Sequence, residues 1–420
     1  MKRVIQPSSL QGTLRVPSSK SVSHRALILG ALSPGLSRIS GIDDSRDLRA
    51  TREAMESLGA SFSDLGEGIW EVSGVRKLTL DAKIDCGESG STLRFMIPIA
   101  AALAKRAEFI GEGRLPTRPI DPILEVFDQV KTSYTYPGKL PLVTENRFEM
   151  PSAFSLDGHI SSQFFTGFLL TAPIAQRELR LDIRGDLESE PYVELTREAM
   201  KAFGVEVERT ETGYFISGGQ AYVRADYDVE ADFSQAAFWL VAGLIGKEAL
   251  CLRGLKKNST QGDRGVLAIV REMGGRWEWK GEDLWVYPSK THGVVIDARD
   301  VPDLIPVLAV LAAVSEGETR VINAARLRIK ESDRLASTTK ELTTLGAQIE
   351  ELEEGLLIQG GSGLTGGCVD SWNDHRIAMA LGIASLRASG TVELTGSEAV
   401  NKSYPHFWDE FQRLGGMINE

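Results

Sequence analysis

Seven basic residues, Lys20, Arg25, Arg118, Lys330, Arg334, Arg376 and Lys402, stand in loops and at the starts of apolar segments. Arginine suits bidentate recognition of carboxylate and phosphate, and lysine acts as a point charge. Such a set, at corresponding places in a chain of net charge −11, implies a small polyanionic ligand. For any one of them the ordinary alternative is surface solubility, and Arg25 could instead partner a buried acid. Three segment starts carry small polar residues: Pro17-Ser18-Ser19-Lys20-Ser21, Gly87-Glu88-Ser89-Gly90-Ser91-Thr92 and Ser161-Ser162-Gln163. Free backbone N–H groups and the helix dipole make such an end an anion site, while plain N-capping is the competing reading. Two carboxylates could do acid–base work. Asp303 follows Pro302 at the start of an apolar segment, and Glu331 lies within Arg328-Ile329-Lys330-Glu331-Ser332-Asp333-Arg334. Nearby cations keep a carboxylate ionised and desolvation opposes them, so either residue could serve as general acid or base. The alternatives are that Asp303 caps a helix and that Glu331 pairs with Lys330 or Arg334. His375, in Asp374-His375-Arg376, reads as a packed histidine.

These groups recur with a period. Apolar segments begin near Lys20, Gly90, Ser162, Asp232, Asp303 and Asp374, at spacings of 70, 72, 70, 71 and 71 residues. A second series follows: Leu58-Gly59, Phe203-Gly204, Met273-Gly274, Leu345-Gly346 and Leu414-Gly415, with Val130-Lys131 in the degenerate slot. A fixed period sets the fold. Each unit reads as βαβαββ: an apolar helix, buried all round; a strand such as Ala249 to Leu252; an amphipathic helix ending at glycine; and two strands such as Ala347 to Glu350 and Gly355 to Ile358. The expected architecture is α/β, with two similar domains of three units and a ligand cleft between them. The seam falls near Tyr227 to Ala231. The last unit stops short at Met417-Ile418-Asn419-Glu420 and is expected to lack its final strands, so the strands between Val4 and Val16 are expected to complete the C-terminal half. That gives residues 19–228 as one domain and 1–18 plus 229–420 as the other. The crossovers near 18–20 and 228–231 would form a hinge.

Composition bounds the class. The 420 residues, 42% hydrophobic and 25% charged, are those of a globular enzyme of two or three domains. The longest clean apolar run, Leu304 to Val314, is too short to span a bilayer, and the N-terminus lacks a signal-peptide core. A cytoplasmic location is expected, with no membrane partner. Cys86, Cys251 and Cys368 lack CxxC spacing and read as reduced thiols rather than metal ligands. The acidic balance argues against nucleic acid.

Six segments together carry a resemblance. They are Pro17 to Arg25, Leu115 to Pro119, Ser161 to Phe164, Arg328 to Arg334, Asn373 to Met379 and Asn401 to Pro405. From Pro17 onward the chain resembles the enolpyruvyl-shikimate-phosphate synthase family of enolpyruvyl transferases. The resemblance implies transfer of the enolpyruvyl group of phosphoenolpyruvate to the 5-hydroxyl of shikimate 3-phosphate, with loss of phosphate, in the shikimate pathway of aromatic amino-acid biosynthesis. It implies no metal or organic cofactor, a monomer, and glyphosate binding in the phosphoenolpyruvate site. Carried over by motif, the shikimate 3-phosphate contacts are Lys20, Ser21, Arg25, Ser161, Ser162, Gln163, Ser189, Tyr192, Asp303 and Lys330. Those to phosphoenolpyruvate are Lys20, Gly90, Arg118, Gln163, Arg334, Arg376 and Lys402. Lys20, Asp303 and Glu331 resemble the groups that share the proton transfers.

The chain departs from the family pattern at Arg326 and Glu88, which stand where asparagines occur, and in the short Asp121-to-Glu149 segment. A close rival is the related transferase acting on UDP-N-acetylglucosamine. It carries a cysteine near the place of Leu115 to Arg118, where this chain has none. A rival of another class is a non-catalytic repeat scaffold for a phosphorylated ligand. The clustered cations and carboxylates argue against it.

Overall fold

The computed structural model describes residues 1–419. Among them the strands form six four-stranded sheets of one pattern. The second shows it most simply. Thr79–Asp85 runs parallel to Ala104–Ile110, which pairs antiparallel with Leu142–Glu145, which pairs antiparallel with Ser133–Thr135. The parallel pair needs a crossover, and the apolar helix Gly90–Leu103 supplies it. The α/β class and the βαβαββ unit expected from the period are those of the structure.

The apolar helices are Lys20–Leu32, Gly90–Leu103, Ser162–Ala175, Phe233–Ile245, Ile305–Val314 and His375–Ala384. Every residue of Phe233–Ile245 is buried, as a helix without a polar face requires. The second helix of each unit is amphipathic. In Arg46–Ser57, Leu48, Thr51 and Met55 recur on the buried side at helical spacing. Gly167 marks a close helix crossing. A Cβ there would meet the Arg94 carbonyl oxygen of the Gly90–Leu103 helix at 2.5 Å.

Three strands are exchanged along the chain. Asp226–Asp228 pairs parallel with Leu36–Ser40 and opens the first sheet. Gly12–Arg15 pairs parallel with Leu250–Arg253 and opens the fourth. Lys2–Gln6 lies between Val392–Thr395 and Met417–Asn419 in the sixth. The sixth unit was expected to run out of strands at Met417. In fact Met417–Asn419 is one of its strands, and only the strand between it and Val392–Thr395 is supplied by the N-terminus.

The degenerate second unit keeps all its strands. After its helix Asp121–Gln129, Lys131 takes the left-handed conformation at φ 58°. The corresponding glycines, Gly59, Gly204, Gly274, Gly346 and Gly415, have φ from 82° to 111°. Lysine thus makes the turn that glycine makes more readily.

The chain divides into two compact units, Lys20–Val229, and Met1–Ser19 with the segment from Glu230 onward. Each has its own core. In the first, Phe127, Phe148, Phe168 and Phe154 pack in that order at centroid distances of 5.0, 6.3 and 4.9 Å. In the second, Trp239, Tyr404, Phe407, Trp408 and Phe411 do so. No helix among the described residues is long and apolar enough to cross a membrane.

Candidate active site

In the Lys20–Val229 unit the candidate residues collect at helix starts. Lys20 is the first residue of its helix, and its Nζ lies 2.7 Å from Asp47 Oδ2. Asp47 sits in the first turn of Arg46–Ser57, where a carboxylate also suits the helix dipole. Sequence reading missed it, because an acid in a first turn is commonplace. Arg25 is buried and, among the described residues, pairs with no carboxylate. Nε donates to Thr196 Oγ1 (2.8 Å), Nη1 to the Ser21 carbonyl (2.6 Å), and Nη2 to the Tyr192 carbonyl (2.7 Å) and Thr166 Oγ1 (3.3 Å). The buried-acid reading of Arg25 is therefore wrong. Burial pulls its pKa down to about 10, although Tyr192 and Tyr227 work the other way.

Gly90 opens the second apolar helix, capped by Ser89, whose Oγ accepts from Thr92 N at 3.1 Å. The Arg118 guanidinium lies against it. A Cβ at Gly90 would sit 2.6 Å from Arg118 Nη1. Arg118 itself follows the 3₁₀ turn Leu115–Thr117. Ser161 caps the third helix, its Oγ accepting from Gln163 N at 3.3 Å, and Ser162 is buried at the first position. Gln163 donates to Ser91 Oγ (2.9 Å) and accepts from Arg94 Nη1 (2.7 Å), so two helix starts are tied through it. Ser189 precedes Glu190–Ala202 in the left-handed conformation, φ 57°, which a serine adopts at a cost.

Behind these groups runs a buried hydroxyl chain. His24 Nδ1 lies 2.7 Å from Thr51 Oγ1, Thr51 Oγ1 lies 2.7 Å from Thr92 Oγ1, and Thr92 Oγ1 donates to Ser89 Oγ at 2.7 Å. It joins three helices, Lys20–Leu32, Arg46–Ser57 and Gly90–Leu103. Burial first, then Lys20 and Arg25, hold His24 well below the usual histidine range, so it is neutral.

In the other unit the candidates form one ion cluster around Arg334, which is buried at the start of Arg334–Thr344. Nε donates to Asp374 Oδ2 at 2.8 Å and Nη1 to Asp303 Oδ1 at 2.7 Å. Nη2 donates to Glu331 Oε2 at 2.9 Å and to Asp374 Oδ1 at 3.2 Å. Asp374 is fully buried, accepts from Ser332 Oγ and caps His375–Ala384. Sequence reading saw it only as a helix start; its partner Arg334 lies forty residues away. Lys330 Nζ approaches Asp303 Oδ1 at 3.7 Å and Arg376 Nη2 approaches Asp303 Oδ2 at 3.5 Å. Arg376 also donates to the Ser234 carbonyl (3.0 Å) and hydroxyl (2.7 Å). Lys402 Nζ donates to the Asn373 carbonyl.

The electrostatics follow from this crowding. Burial alone would raise the Asp303 carboxyl, but Lys330, Arg376 and Arg334 outweigh it, and the group lies well below the usual range. Burial lowers Lys330 to about 8 despite the opposing pull of Asp303. For Arg334, three carboxylates overcome desolvation and raise the guanidinium further. Asp303 lies in the 3₁₀ turn Pro302–Leu304 and makes ion pairs, so the capping reading fails. The pairing reading of Glu331 holds as a contact, with Arg334 as partner. An ionised carboxylate among cations can accept a hydrogen bond or proton. A partly desolvated ammonium can donate one or neutralise a phosphate.

Residues 4–411 match the family EPSP synthase (3-phosphoshikimate 1-carboxyvinyltransferase). The chain belongs to the EPSP synthase family. The 3-phosphoshikimate 1-carboxyvinyltransferase of Clostridium novyi (strain NT) is 45% identical to it, over 99% of this chain and 98% of that one. That of Clostridioides difficile (strain 630) is 44% identical over the same shares. A solved structure of EPSP synthase from Acinetobacter baumannii superposes with a TM-score of 0.82 at 26% identity, covering all of both chains.

Proposed function

We propose that this EPSP synthase family member works through the two groups described above. It is a transferase of the shikimate pathway, moving the carboxyvinyl group of phosphoenolpyruvate to the 5-hydroxyl of shikimate 3-phosphate and releasing phosphate. Family membership over nearly the full chain supports the reaction. The observation that carries the residue assignment is the Arg334 cluster, in which three carboxylates and several cations share one buried network.

Both substrates are polyanions. Lys20, Gly90, Arg118, Gln163, Arg334, Arg376 and Lys402 are assigned to phosphoenolpyruvate. Lys20, Ser21, Arg25, Ser161, Ser162, Gln163, Ser189, Tyr192, Asp303 and Lys330 are assigned to shikimate 3-phosphate. Preorganised cations stabilise charge that shifts onto the departing phosphate without reorganising at the moment of reaction. Addition starts with a proton delivered to the methylene carbon of phosphoenolpyruvate. The neighbouring carbon becomes cation-like, and the 5-hydroxyl oxygen bonds to it as its proton is taken. Elimination removes a proton from the new methyl group, re-forms the double bond and expels phosphate. Asp303, held ionised, suits accepting from the hydroxyl. Glu331 and Lys20 share the remaining transfers. Glyphosate is assigned to the phosphoenolpyruvate site, and the chain to a monomer in the cytoplasm.

The test is phosphate release from phosphoenolpyruvate with shikimate 3-phosphate, with UDP-N-acetylglucosamine as alternative acceptor, and with neither. Release is expected only with shikimate 3-phosphate. Release with the nucleotide sugar, or with no acceptor preference, would overturn the reading. Light scattering should give about the 45.8 kDa of one chain.

A further inference from the structure

The turn joining the strand Gly367–Asp370 to the helix His375–Ala384 holds two consecutive non-glycine residues in the left-handed region, Trp372 at φ 55° and Asn373 at φ 53°. Such residues persist there only when their surroundings impose it. The backbone supplies part of the restraint. Trp372 N donates to Asp370 Oδ1 at 2.6 Å, Asn373 N to Ser371 Oγ at 3.2 Å, and Asp374 N to the Ser371 carbonyl at 2.9 Å.

The rest comes from Glu341, on the face of Arg334–Thr344 turned into the protein. The residue is 2% exposed, and both carboxylate oxygens are engaged. Oε1 accepts from the Trp372 indole Nε1 at 2.8 Å, and Oε2 from the Asp370 backbone N at 3.1 Å. A buried carboxylate receiving two N–H donors across the turn clamps both of its ends. Lys340 covers the Trp372 ring from outside, 5.0 Å from its centroid.

The turn presents two groups. The Asn373 carbonyl accepts from Lys402 Nζ, and the Asp374 carboxylate takes Arg334 and the Arg376 backbone N. Three of the cations assigned to phosphoenolpyruvate therefore take their positions from this segment. Glu341 touches none of their side chains; its partners are Trp372, the Asp370 amide and Lys340. We infer that Glu341, acting through Trp372, is a positioning residue for phosphoenolpyruvate binding: it holds the strained turn that sets Lys402, Arg334 and Arg376. This rests on the assignment of those three cations to phosphoenolpyruvate.

The experiment is steady-state kinetics with each substrate varied, on Glu341→Gln and Trp372→Phe, alongside thermal melts and Lys402→Met. Glutamine keeps the size of Glu341 but turns a donor NH₂ toward one of two N–H groups. Phenylalanine keeps the ring and removes the N–H. Both variants should raise KM for phosphoenolpyruvate about tenfold, as expected for one lost charge-assisted hydrogen bond. KM for shikimate 3-phosphate should rise less, because its contacts Asp303 and Lys330 meet the turn only through Arg334 and Arg376, whereas Lys402 and Arg334 rest on the turn directly. A lower melting temperature with both KM values unchanged would show a merely structural role and overturn the inference. Equal rises in both KM values would do the same. Should Glu341→Gln fail to fold, Trp372→Phe decides alone, since it leaves the carboxylate on the Asp370 amide. Lys402→Met with an unchanged KM for phosphoenolpyruvate would sink the cation assignment, and the inference with it. A raised KM in that variant beside unaltered Glu341→Gln and Trp372→Phe would overturn the inference alone.

Discussion

Asp303 and Glu331 hang on one guanidinium but differ in what they balance. Asp303 faces Lys330, Arg334 and Arg376, whereas Glu331 pairs with Arg334, which Asp374 already holds twice. Removing the Asp303 charge takes a partner from Lys330 and Arg376, while Arg334 keeps Asp374 and Glu331; breaking a buried pair costs about 3–5 kcal/mol. Both Asp303→Asn and Glu331→Gln should lower turnover by about 10²- to 10⁴-fold, the usual contribution of a positioned acid or base. Only Asp303→Asn should also lower the melting temperature markedly. A loss of turnover under about tenfold would remove the residue from the chemistry. Lys330 gives a pH test. Its folded pKa, about 8, lies below that of an exposed lysine, so the free enzyme loses this cation as pH rises through 8. The profile of kcat/KM for shikimate 3-phosphate reports the free enzyme and should bend downward above about pH 8. Lys330→Arg, which stays charged, should abolish that bend. The stability sign is opposite. Between about pH 8 and the unfolded value near 10.5 the unfolded chain binds the extra proton, so Lys330 makes the protein more stable as pH rises. At Gly90 the space is already taken by Arg118. Gly90→Ala should displace that guanidinium and weaken phosphoenolpyruvate binding while leaving the fold intact. An unchanged KM would remove Arg118 from the site.

The helix starts gain their rigidity from contacts that reach from one element to another. His24, Thr51, Thr92 and Ser89 link Lys20–Leu32 and Arg46–Ser57 to the start of Gly90–Leu103 through buried side-chain contacts. Because His24 is held below its unfolded value near 6.5, the unfolded chain binds its proton first as pH falls. Stability is therefore lost downward from about pH 6.5, by at most about 1.4 kcal/mol per pH unit from this one group. His24→Gln should flatten that part of the curve; an identical slope in the variant would show that His24 is not the titrating group. At this scale the sequence was legible wherever a local rule repeats. Five glycines after amphipathic helices and six apolar runs disclosed the unit and its two helices. Where Lys131 does the work of glycine the rule failed, because its left-handed turn leaves no mark on composition. The cationic motifs were legible as chemistry because they stand at helix starts. Asp47, Asp374 and Glu341 were not, since their roles come from partners 27 to 40 residues away.

Across the whole molecule, the chain passes between its two compact units at Ser19–Lys20 and at Val229–Glu230. Lys20, Arg25 and Arg118 belong to one unit, and Lys330, Arg334, Arg376 and Lys402 to the other. We propose that these two crossings act as a hinge. On the proposed assignment shikimate 3-phosphate draws on residues of both units, so its differential affinity is expected to shift the population toward the arrangement in which all of them bind it. A reactive, cation-like carbon would also be kept from water in that arrangement. Small-angle scattering should show a smaller radius of gyration with saturating shikimate 3-phosphate, and no re-expansion when glyphosate is added. Lys330→Met should lose much of this response although Lys20–Val229 is untouched by the substitution, because one half of the grip is weakened. If the radius of gyration is the same with and without ligand, the units do not move on binding, and the two crossings are fixed joints rather than a hinge.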